Sequence, residues 1–71
     1  MKIVDSLGTR CPLPIIHIAE ALKELKEGES LVLLADDPAT KPDLHAWARM
    51  TGNTVDEIGP TEFKVTKRAV N

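Results

Sequence analysis

The chain has 71 residues, a formal net charge of −2, one cysteine and two aromatic residues, Trp47 and Phe63. That length accommodates one domain, residues 1–71, and a chain so short buries only about 60% of the surface it exposes when unfolded, so a deep substrate pocket is not expected. The mild acidity and scattered Lys and Arg argue against direct nucleic-acid binding, for which a basic stripe or stacking aromatics are needed. No apolar run approaches the roughly 20 residues that cross a bilayer, so no membrane partner is expected.

Residues 2–4 read as a short strand and residues 6–10 as a loop, with Gly8 free to take a positive φ. A helix is expected to begin near Pro12. Its missing N–H would be unpaired at a first helical position, and Pro14 still falls within the first turn. Ile15, Ile18, Ala19, Leu22 and Leu25 recur at spacings of three and four and define one helical face. Glu20 has a favourable neighbour in Lys23 and an unfavourable one in Glu24. Gly28 is the expected C-cap.

Residues 30–35 contain the continuous apolar run Leu31-Val32-Leu33-Leu34-Ala35, as in a central strand covered on at least one face, and Asp36-Asp37-Pro38 ends it. Alternate residues of this strand could face outward and support association, although a short core strand is the better reading. Thr40 followed by Asp43 has the form of a capping pattern, with Pro42 at an early helical position. Leu44, Trp47, Ala48 and Thr51 mark a second helical face, stopped by Gly52-Asn53. Residues 54–58 and 62–67 read as two strands joined through Gly59-Pro60 in a hairpin. Residues 68–71 are expected to fray. The order β-α-β-α-β-β predicts an α/β (α+β) two-layer sandwich, with a four-stranded mixed sheet and two helices on one face.

Cys11 is the residue with soft nucleophilic chemistry. It stands where a helix N-cap is expected, directly before Pro12. The amides and dipole of a helix start favour negative charge, and Arg10 adds a neighbouring cation. Both effects lower a thiol pKa. A persulfide is also an anion at neutral pH, so the loaded form is held by the same features. Pro12 and Pro14 shape the first turn and thin out its donors, which leaves early amides such as that of Leu13 to face the sulfur. The ordinary alternative is a cysteine acting as a small buried hydrophobe. With no second cysteine there is no internal disulfide and no resolving thiol, so whatever Cys11 accepts must leave to another molecule. The lone cysteine and the lack of a secretory apolar core at residues 1–5 suit a cytoplasmic location.

Other candidates are weaker. Cys11, His17 and His45 are too scattered for the four ligands of a structural zinc site, so no metal is expected. Asp36, Asp37 and Asp43 are better read as caps of a helix start than as Mg²⁺ ligands or an acid–base pair. No phosphate-binding glycine loop or serine triad is present, and no cofactor is expected.

The residues resemble the TusA/SirA family of small sulfur-carrier proteins over nearly the whole chain. The likeness begins with Val4-Asp5, Gly8 and Arg10-Cys11-Pro12-Leu13-Pro14, the family's Cys-Pro-x-Pro (CPxP) signature. It continues through Leu22, Gly28-Glu29, Ala35-Asp36-Asp37-Pro38-Ala39-Thr40, Asp43-Leu44 and Gly52-Asn53. The resemblance implies a two-layer sandwich and a sulfurtransferase-type carrier. Cys11 would take a persulfide sulfur from a cysteine desulfurase or rhodanese-type donor and pass it to a downstream sulfur-accepting protein. It implies service in tRNA thiolation, sulfur oxidation or molybdenum-cofactor biosynthesis. It also implies that the segment 36–40 is structural or part of a partner surface. Some members carry a second cysteine where this chain has Ala48, and Gly-His where it has Gly52-Asn53. Two other readings stand beside this one. The first is a non-catalytic regulatory or RNA-binding module of the same architecture. The second is a thiol peroxidase or redox sensor using Cys11.

Overall fold

A computed structural model of the chain describes residues 2–10 and 13–68. The apolar run at residues 31–35 organises it. Strand β2, Ser30–Leu34, lies between β1, Lys2–Asp5, and β4, Glu62–Thr66, and β3, Thr54–Gly59, closes the far edge in the order β1-β2-β4-β3. β1 runs parallel to β2, whereas β4 is antiparallel to both β2 and β3. The sheet is therefore mixed, as expected. The β3–β4 hairpin forms at Gly59-Pro60, with a register irregularity between Glu57 and Gly59.

Helix α1, Leu13–Leu22, and helix α2, Thr40–Thr51, cover one face of this sheet. Leu31 and Leu33 from β2 and Phe63 and Val65 from β4 meet Ile18, Ala21 and Leu22 from α1 and Leu44 from α2. Ala35, Val4 and Val55 extend the same core. Period-2 alternation sends Val32 and Leu34 to the uncovered face, where both remain half-buried. There Val32 lies between Ile3 and Lys64 in register.

Four local expectations need correction. α1 ends at Leu22, short of Gly28. Lys23, Glu24 and Leu25 donate their amides to the carbonyls three residues back, at 3.1–3.2 Å, so the last turn tightens instead of continuing as α-helix. Lys67 Nζ donates to the Leu25 carbonyl at 2.8 Å, which supplies the cap that Gly28 was expected to provide. Gly28 does have φ +82, but its amide donates to the Lys67 carbonyl and so joins the turn to the end of β4.

The buried stripe of α1 is Pro14, Ile18, Ala21 and Leu22, while Ile15, packed against the core, and Ala19 are half-buried. The cap position of α2 is Ala39 rather than Thr40, which is itself fully buried inside the helix. Arg68, expected to fray, donates its amide to Asn53 Oδ1 at 2.9 Å. The frayed tail expected at residues 69–71 lies outside the described residues. Gly52 ends α2 as expected, with φ +79 and its amide donating to the Ala48 carbonyl. No helix among the described residues is long and apolar enough to cross a membrane.

Candidate functional site

Parallel β1 and β2 lie side by side, so the loops leaving their C-terminal ends emerge at the same edge of the sheet. This is where open α/β sheets commonly place their sites. One loop, residues 6–10, leads towards α1. The other, residues 35–39, leads into α2. Together Gly8, Thr9, Arg10, Asp36, Asp37 and Pro38 line a cleft of about 410 Å³.

The first loop is tied down at several points. The Ser6 amide donates to the Leu34 carbonyl at 2.8 Å, which extends the β1–β2 pairing by one bond. The Thr9 amide and hydroxyl both donate to the Ser6 carbonyl, at 3.2 and 2.7 Å. A turn thus closes over residues 6–9, with Gly8 at φ +78 in the third position that favours glycine. The Leu7 amide donates to Asp5 Oδ1 and the Gly8 amide to Asp36 Oδ1, each at 3.0 Å. Ser6 Oγ, sealed from solvent, stands 2.5 Å from His17 Nδ1. Side chains on a helix tilt towards its N-terminus, so His17 reaches back to the loop from the second turn of α1.

The second loop is held by Asp37. Its carbonyl accepts the Thr40 amide at 2.9 Å and its Oδ1 accepts the Ala39 amide at 3.0 Å. Asp36 and Asp37 therefore act in loop and turn structure, and the expected side-chain cap is not made, because the N-cap residue of α2, Ala39, receives no side-chain capping bond.

Cys11 and Pro12, the centre of the expected site, lie outside the described residues, and with them the expected N-cap position of Cys11. The flanking residues are described. Arg10 is exposed, Leu13 is 46% exposed, and Pro14 is buried within the first turn of α1. The Leu13 amide, expected to be available to a sulfur anion, instead donates to the Arg10 carbonyl at 2.9 Å. The first turn of α1 carries no acidic residue of its own, so nothing in it offsets the positive end of the helix dipole.

Sequence reasoning missed the Ser6–His17 and Gly8–Asp36 links. Neither link leaves a local signal, because the partners are 11 and 28 positions apart. His45, the other candidate ligand, lies 3.2 Å from Glu57 Oε1 of the far edge strand β3, where Lys41 also reaches Glu57. Among the described residues no three His, Asp or Glu side chains gather as a metal would require.

Comparison with known proteins decides the family. The family model described as sulfurtransferase TusA matches residues 2–68. The chain belongs to the TusA family. The crystal structure of a SirA-like protein from Desulfitobacterium hafniense is similar in the same sense. It is 30% identical, with a TM-score of 0.71 over 93% of this chain and 93% of that one. The match spans both loops of the cleft and the whole four-stranded sheet.

Proposed function

We propose that this TusA-family chain is a sulfur carrier, acting as one unit over residues 1–71 in the cytoplasm, with Cys11 as the acceptor. The Cys11 thiolate attacks the terminal sulfur of a persulfide on a cysteine desulfurase or rhodanese-type donor. The donor's S–S bond breaks, the donor leaves as a thiolate, and Cys11 becomes the persulfide, so no outside oxidant or reductant is consumed. A nucleophile on a downstream protein then attacks the outer sulfur and Cys11 returns as thiolate. The receiving protein belongs to a sulfur relay such as tRNA thiolation, molybdenum-cofactor biosynthesis or sulfur oxidation.

The observation that carries this reading is the family match over residues 2–68, which spans a Cys-Pro-Leu-Pro run holding the chain's single cysteine. The neighbourhood supports it. Arg10 supplies an exposed cation, and the first turn of α1, in which Pro14 is buried, bears no acidic residue. With no second thiol in the chain, release to a partner is the remaining exit for the sulfur.

The test is direct. The protein is incubated with a cysteine desulfurase and cysteine, and its intact mass is read. The expected product has gained one sulfur atom, which a reductant removes, and Cys11→Ser gains none. A wild-type chain that stays unloaded, or a Cys11→Ser variant that loads equally, rejects the proposal.

A further inference from the structure

We infer that the open pocket between the later turns of α1 and α2 binds a small organic anion, a single planar ring bearing a carboxylate. Such binding does not depend on sulfur carriage. The pocket has a volume of about 260 Å³ and is lined from the C-terminal halves of both helices, whereas the cleft of residues 6–10 and 35–39 precedes their starts. Ala19 and Leu22 of α1 and Trp47 of α2 supply apolar walls. Lys23 and Lys67 are the charged residues of the lining, which contains no carboxylate although the chain as a whole is acidic.

Two donors of the lining set the ligand's charge. Lys67 is half-buried and forms no ion pair among the described residues. A charge drawn out of water is normally paired. Its placement is fixed. Its amide donates to the Glu29 carbonyl, its carbonyl accepts the Gly28 amide, and its Nζ donates to the Leu25 carbonyl at 2.8 Å, which leaves further N–H donors on the ammonium. The indole N–H of Trp47 also has no hydrogen-bond partner among the described residues, and it is not sealed from solvent. Lys23 reaches Glu20 at 3.3 Å in a solvent-exposed pair, which holds it weakly. A carboxylate in the pocket takes charge-assisted hydrogen bonds from these groups while its ring lies against Trp47, Ala19 and Leu22.

Helix C-termini disfavour anions, because their last carbonyls carry partial negative charge. Beside this pocket those carbonyls are already engaged. Leu25 is met by Lys67, Trp47 by the Thr51 hydroxyl at 2.8 Å, and Ala48 by the Gly52 amide at 2.8 Å. The lysines therefore decide the sign of the pocket. Its volume falls just below the roughly 300–1,000 Å³ of common ligand pockets, which limits the body of the ligand to one ring.

The experiment titrates the full chain with benzoate at constant ionic strength and follows the indole N–H resonance of Trp47, the chain's single tryptophan. Benzamide keeps the ring without the charge, and acetate keeps the head without the ring. Benzoate is expected to shift the resonance to saturation. Benzamide should bind about tenfold or more weakly, the loss expected for a hydrogen bond to a charged group. Acetate should be weaker by a similar factor for want of apolar burial, again about tenfold.

Lys67→Gln should weaken benzoate by about tenfold, and Lys67→Arg should stay close to wild type. Lys23→Gln changes an exposed residue and leaves the bond to Leu25 intact, so it tests the pocket even where Lys67→Gln does not fold. It should weaken benzoate by about twofold to fivefold. An indole resonance that does not move, a shift that never saturates, benzamide that binds as tightly as benzoate, or Lys23→Gln with wild-type affinity overturns the inference.

Discussion

The hydroxyl of Ser6 and Nδ1 of His17 stand 2.5 Å apart, and the two residues differ sharply in their access to water. Ser6 is fully buried, whereas His17 is half-buried. Removing either partner should therefore have unequal effects. In Ser6→Ala the imidazole can recover a bond from solvent, and the expected cost is about 1 kcal/mol, the net value of an ordinary hydrogen bond. In His17→Ala the sealed hydroxyl loses a partner that water cannot readily replace, and the cost should rise to about 1–3 kcal/mol. Urea denaturation of both variants checks the order. Equal midpoints would mean that the Ser6 hydroxyl is not sealed in solution.

Two glycines with similar backbone angles should respond differently to alanine. Gly8 and Gly52 both have φ near +80, where a side chain costs roughly 1–2 kcal/mol. At Gly8 an added Cβ meets open space, but at Gly52 it meets Arg68 Cδ at 3.0 Å. The Arg68 guanidinium also reaches the Thr51 carbonyl at 3.5 Å, so moving it disturbs the cap of α2. Gly52→Ala is expected to lower the melting temperature more than Gly8→Ala. At this chain length each kcal/mol corresponds to about 4–8 °C.

Adjacent residues of β2 should separate the two faces of the sheet. Leu33 is fully buried, with Val4 and Phe63 beside it in register. Leu33→Ala should cost about 2–5 kcal/mol, a large part of the roughly 5–10 kcal/mol available to a small protein. Val32 points to the uncovered face and is half-buried. Val32→Ala should cost about 1 kcal/mol or less. Trp47, half-buried against the core, is the chain's single tryptophan and reports both unfolding transitions by its fluorescence.

Two surface carboxylates should make stability depend on acid. A hydrogen bond from Lys2, reinforced by its charge, holds Glu24 below the ordinary value of 4.5. A hydrogen bond to His45, with help from the charge of Lys41, does the same for Glu57 against the opposing effect of burial. A carboxyl lowered in the folded state contributes stability that is fully present above its unfolded value. That contribution is lost as the pH falls through the folded value. The urea midpoint should therefore drop as pH falls below 4.5, and Glu24→Gln and Glu57→Gln should each flatten that drop. Added salt should weaken the effect, because both pairs are exposed to solvent. A midpoint in the Gln variants that falls as steeply as in wild type would assign the acid sensitivity to other carboxyls.

By itself the sequence determined the order of the six elements, the two-layer architecture, the hairpin at Gly59-Pro60 and the stop of α2 at Gly52. These features depend on residues close together in the chain: an apolar period, a proline, a glycine able to take positive φ. It also carried the family likeness, since the CPxP run and the segment at residues 36–40 are contiguous. Only the tertiary structure decided where α1 ends and what caps it, because Lys67 reaches Leu25 across 42 positions. In the same way it settled that Glu24 answers Lys2, that His17 holds Ser6, and that Asp36 holds Gly8. Each of these bonds joins groups whose separation is set by sheet register and helix packing. Local propensity contains no information about a distance that exists only after β1 has paired with β2.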